Sequence, residues 1–228
     1  MTTDIPNLEY WIQIYLLAAS NIEAQRTEAK QIVEEQISDN PDECLQTILA
    51  IFEYPFDNLD NSIKVKFQAC LHLLHLVRQT KPEHLLQILQ EIPVLNSLIK
   101  MLREHLFSEN QNICDSCAII FSDLFVIFGH EWQPLFKELI SPLSSKQIIR
   151  FHYGIIKMLS AIWVQDLYPK DIPYIQNEIG FILNGCNNIL GAPYIDDTFN
   201  DTRVLCAKFL TIIISKNQRI FGDRKEAY

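Results

Sequence analysis

The residues best suited to chemistry are Cys114-Asp-Ser-Cys117, a single C-x-x-C. Structural zinc takes four ligands, usually from two such pairs, and only one pair is present. The nearest supplementary set is Cys70, His72 and His75. Cys70 falls on an apolar stripe, so the set does not converge and no metal is expected. Glycines 180, 185 and 191 lack the spacing of a phosphate-cradling loop. No Gly-x-Ser-x-Gly or His-Glu-x-x-His occurs. Acid pairs such as Glu34-Glu35 and Asp196-Asp197 read as solvated turns or faces. No catalytic residue and no cofactor is therefore expected, and the chain is read as a non-enzyme.

What remains is polar patterning. Lys64, Gln68, His72, His75 and Gln79 recur at helical spacing, opposite the apolar side of their helix. Glu23, Thr27, Lys30 and Glu34 form a matching stripe earlier in the chain. Either stripe is an ordinary solvated face or part of a surface that holds a protein partner.

Composition limits which partner. The net charge is −9, and the segment 1–60 holds twelve acids against two bases, Arg26 and Lys30. Phosphate contact needs clustered Lys and Arg, so nucleic acid is disfavoured. An acidic end suits a basic protein surface. No basic residue precedes an apolar run at the N-terminus, and the uncharged stretch between Glu178 and Asp196 carries three Asn and a Pro. Neither an export signal nor a membrane span is expected, and the reading is cytoplasm or nucleus with six reduced cysteines. The sequon Asn200-Asp201-Thr202 then has no role.

The elements that must position these residues are helices. Only six glycines occur in 228 residues. Pro6, Pro41, Pro82, Pro134 and Pro173 each precede an apolar helical run. Proline is tolerated in a first helical turn. The recurrence of these prolines matches the period of a two-helix repeat, roughly 40–47 residues. A longer helix follows each, after Ser20-Asn21, Asp60-Asn61, Glu109-Asn110, Ser144-Ser145 and Asn200-Asp201. These second helices set a basic residue three or four positions before a small one: Arg26 and Ala29, Lys66 and Ala69, Arg150 and Gly154, Arg203 and Ala207. The third departs, with Asp115 before Ala118. The small residues are expected where helices cross. A cation near a helix N-terminus is unfavourable to the dipole, so the basic ones serve another purpose. In the second unit Ile63, Phe67, Cys70, Leu74 and Val77 are expected to face the core, widened by Leu73 and Leu76. The strand-like run Phe209–Ile214 is assigned to helix by its place in the repeat.

The expected fold is all-α: one HEAT-like α-solenoid of about five antiparallel helix pairs, with units of about 6–40, 41–81, 82–133, 134–172 and 173–228. The N-terminal third of the chain resembles something narrower. Leu8 to Ala19, the break at Ser20-Asn21, Arg26-Thr-Glu-Ala29 with Val33, Pro41, Leu45-Gln-Thr-Ile-Leu49, Lys64-Val-Lys66, Ala69 and Leu73 resemble the N-terminal region of the importin-β (karyopherin-β) family of nuclear transport receptors. Val77-Arg-Gln-Thr-Lys-Pro82 departs from the family pattern, and members are several times longer. The resemblance implies that the first units contact the GTP-bound form of the small GTPase Ran and that later units hold cargo. The alternative is a cytosolic scaffold or adaptor for trafficking or the cytoskeleton.

Overall fold

A computed structural model describes residues 7–145, 151–164, 175, 177–193 and 197–222. Among them every regular element is a helix and no strand occurs. The chain divides into two compact units, Met1–Ile120 and Phe121–Tyr228.

The first unit begins with α1 (Leu8–Ala18), whose N-cap Asn7 takes a left-handed φ of 76°. Ser20 then turns the chain, its Oγ accepting the Ile22 N–H at 3.1 Å. The second helix, α2 (Glu23–Asp39), is mostly polar and fully buries only Ala29 and Ile37. Asn40 alone separates it from α3 (Pro41–Glu53), where proline occupies the first turn. Cys44, Leu45, Ile48, Ile51 and Phe52 bury one stripe of α3. The Asn58 side chain caps α4 (Leu59–Gln79) by accepting the Asn61 N–H at 3.0 Å. That cap lies slightly before the expected one at Asp60-Asn61. Helix α1 packs on α2 and α4, and α3 packs on α4.

The buried face of α4 is rotated from its expected phase. Val65, Ala69, Cys70, His72, Leu73, Leu76 and Val77 are buried, whereas Ile63, Phe67 and Leu74 are only half-buried. The stretch expected to be one first-limb helix after Pro82 is two helices, α5 (Pro82–Leu89) and α6 (Ile92–Leu106). Pro93 lacks an N–H and sits in the first turn of α6, where a helix begins rather than continues. Asn110 caps α7 (Gln111–Phe128), accepting the Ile113 N–H at 3.2 Å.

The second unit holds the end of α7, which stops at Gly129 with a φ of 55°, the left-handed geometry that glycine reaches without strain. A 3-10 turn (Gly129–Trp132) leads into α8 (Gln133–Ile140), and a second (Ser141–Ser144) follows it. Trp132 stacks on Phe128 at 4.4 Å and meets Phe125 edge-on at 5.5 Å. Such aromatic pairs add to the area they bury. Helices α9 (Phe151–Val164), α10 (Ile179–Gly191) and α11 (Asp197–Gly222) complete the unit, with α11 on α9 and α10. Phe209–Ile214 is helical, as expected despite its strand-like composition. Gly185 lets α10 approach the turn before α9, since a Cβ there would lie 2.6 Å from the Leu143 Cβ. The stretch Gln111–Ser144 is long and apolar enough to pass for a membrane span, but 56% of its most apolar window is buried within the protein.

Four of the five small residues expected at helix crossings are buried: Ala29, Ala69, Ala118 and Gly154. Ala207 is exposed, because Thr202, Cys206, Phe209 and Ile213 form the inward stripe of α11. Ala69→Leu should destabilise the protein by about 1–3 kcal/mol through overpacking, measured by urea titration. An unchanged midpoint would show that α4 has room where it meets its neighbours.

The paired basic residues acquire an explanation. Arg26 Nη1 donates to the Ser20 carbonyl at 2.9 Å, just past the end of α1. Arg203 Nη2 donates to the Leu190 carbonyl at 2.7 Å, in the last turn of α10. The Lys66 ammonium lies 6.0 Å from the centre of the Phe52 ring, in the last turn of α3. In each pair a cation from the first two turns or so of the second helix reaches back to the end of the first. There it meets carbonyls at the negative end of that helix or an aromatic face. Arg150 lies outside the described residues.

Candidate functional site

The site is assembled from α1, α2 and α4. Helix α2 offers a largely polar side, since only Ala29 and Ile37 are fully buried. Helix α4 packs its buried face against α1 and α3, leaving Gln68, Leu71 and His75 along a margin turned toward α2. Between them lies an open groove of about 460 Å³. Glu23, Thr27, Lys30 and Glu34 form its α2 wall and Gln68, His72 and His75 its α4 wall. Seven of the nine residues picked out by helical spacing therefore share one concavity, and Gln79 lies outside it. Lys64 is not among them; its ammonium is 2.7 Å from Asp60 Oδ2, one turn back on the same helix.

The groove also contains residues that spacing did not single out: Tyr15, Ala18, Arg26, Val33 and Leu71. Leu71 is 40% exposed, so the α4 wall has an apolar spot between polar neighbours. No sequence signal marks it, because a leucine in an apolar helix reads as core.

His72 requires a correction. Helical spacing places it on the solvent side of α4, yet it is 2% exposed. Its Nδ1 lies 2.5 Å from the Tyr15 hydroxyl and its Nε2 lies 3.0 Å from Cys44 Sγ. One imidazole thus joins α1, α3 and α4. Either the tyrosine donates to Nδ1 while Nε2–H faces the sulfur, or the thiol donates to Nε2 while Nδ1–H faces the tyrosine. Both arrangements need a neutral ring. Burial, followed by the nearby His75, pulls the His72 pKa down to about 3. Burial likewise pushes the Tyr15 hydroxyl and the Cys44 thiol up, so both remain protonated. Tyr15 and His72 close the bottom of the groove, whereas Cys44 lies behind them and does not line it.

Electrostatically the walls are mixed. Lys30 and Glu34 form an exposed pair at 3.6 Å, the kind worth little in water. Arg26 is engaged by the Ser20 carbonyl. Glu23 has no ion-pair partner among the described residues and sits in the first turn of α2, where the helix dipole favours an anion. Helix α2 as a whole carries five acids and two bases. Such a surface presents carboxylates, amides and an imidazole around an apolar spot. Among the described residues no cluster of three His, Cys, Asp or Glu is placed to hold a metal ion. No family model, curated protein or solved structure matches the chain.

Proposed function

We propose that the chain is a protein-binding module, arranged as a HEAT-like α-solenoid of antiparallel helix pairs, and that the α1–α2–α4 groove is part of its partner surface. The observation that carries this reading is the convergence of two polar stripes, drawn from separate repeats, on one concavity. Helical-repeat proteins bind through surfaces made by successive units, which such convergence supplies. The narrower form of the proposal is karyopherin-like: the first units hold GTP-bound Ran or a basic cargo, in the nucleus or cytoplasm. The resemblance of the N-terminal third and its net acidity support it.

A pull-down with GTP-locked Ran, against the GDP form, tests the narrow proposal. Selective retention of the GTP form is expected. Equal retention, or none, would reject it and leave a cytosolic scaffold or adaptor as the remaining form of the module. Where Ran is retained, reversing Glu23 and Glu34 to lysine should slow association roughly tenfold, because exposed charges steer encounter. Added salt should act in the same direction. The matched reversal of Glu131 and Glu138 should do much less. Equal effects of the two reversals would place the contact elsewhere.

A further inference from the structure

The C-x-x-C motif has a different partner from the one its sequence spacing implies. Cys114 is occupied: its thiol donates to the Leu106 carbonyl at 2.9 Å. Cys117 instead meets Cys70 of α4, sulfur to sulfur, at 3.8 Å. Both side chains are fully buried, and both belong to the first unit. A disulfide needs about 2.05 Å, so the two sulfurs must close by less than about 2 Å in all, within reach of small side-chain rotations.

We propose that Cys70 and Cys117 form a redox latch, which a hydroperoxide closes to a disulfide tying α4 to α7. One thiol sulfur attacks a peroxide oxygen, the O–O bond breaks, and a sulfenic acid forms as the departing hydroxide leaves with the thiol proton as water. The second thiol attacks that sulfur; the S–S bond forms, the S–O bond breaks, and the departing hydroxide leaves with the thiol proton as a second water. Two thiols and one hydrogen peroxide give one disulfide and two waters. The bond to Cys70, then burial, push the Cys117 thiol well up, so closure is slow and needs an oxidant small enough to enter the packed interior, as hydrogen peroxide is. Cys70 lies on the stretch of α4 that carries Gln68, Leu71 and His75. Closing the latch therefore fixes one wall of the groove against α7. The inference stands on the thiol geometry and does not depend on which partner the groove holds.

The test is hydrogen peroxide titration of the full folded chain, alkylation of remaining thiols, and peptide mapping without reductant. A Cys70–Cys117 crosslinked peptide should appear. It should disappear with dithiothreitol and be accompanied by a raised Tm. Cys114→Ala should retain the bridge and Cys70→Ala should abolish it. A Cys114–Cys117 bridge in the unmodified chain would overturn the proposal. So would Cys70 and Cys117 recovered only as free thiols or sulfinic acids.

Discussion

Between pH 6.5 and about 3 the fold should lose up to about 5 kcal/mol of stability through His72 alone. The sign follows from proton binding. In the unfolded chain His72 takes a proton with ordinary affinity, near 6.5, whereas the folded protein resists it down to about 3. Over that window the unfolded state binds more protons, so acid favours unfolding by about 1.4 kcal/mol per pH unit. The contribution is complete above 6.5 and exhausted below about 3. Burial lowers His105 and His152 as well, adding loss in the same direction. Urea midpoints at pH 7, 6, 5 and 4 measure the slope. A His72→Gln variant, however much weaker at pH 7, should show a shallower one. If its slope equals that of the parent, His72 is not the group that resists protonation.

Removing the imidazole at neutral pH should be nearly as costly. His72→Ala should destabilise by about 3–5 kcal/mol, because it opens a cavity between three helices and leaves buried polar groups unpaired. Tyr15→Phe should cost less, about 1–2 kcal/mol, since the ring still fills its place and only one hydrogen bond goes. A double-mutant cycle between Tyr15→Phe and His72→Leu isolates the bond itself, and a coupling of about 1 kcal/mol or more is expected. If His72→Ala costs under about 1 kcal/mol, the three-helix junction is held by apolar packing and the imidazole is incidental to it.

His72 also shows where the sequence stops being informative. Helical periodicity locates α4 and its two sides, but it equates polarity with exposure. The chain can bury a histidine because Tyr15 and Cys44, 57 and 28 residues away, supply partners for both ring nitrogens. That pairing is a tertiary fact with no local signature. The same limit explains the rotated phase of α4, whose buried set is chosen by α1 and α3 rather than by its own hydropathy. Helix starts are more legible, because prolines and caps act locally. Pro41 opens α3, Pro82 opens α5 and Asn110 caps α7 at their expected places. The break between α5 and α6 escapes a reading by hydropathy although Pro93 marks it, since the apolar spacing Leu85, Ile88, Leu89 and Ile92 continues across Gln90-Glu91. The groove is half legible. Its polar walls follow helical spacing, while Tyr15 and Leu71 are recognisable only once the helices are in contact.

The backward reach of Arg26, Lys66 and Arg203 has a mechanical consequence. A helix hairpin joined only through its backbone turn can open about that turn like a hinge. Here the turn is bridged by a side chain from the second helix, at Ser20, Phe52 and Leu190. Each bridge ties the second helix back to the end of the first, so that α1 with α2 and α3 with α4 should open less freely than a bare turn allows. Force applied to the α2 wall of the groove is then delivered through Arg26 to the end of α1, and compliance is left to the joints that no cation spans.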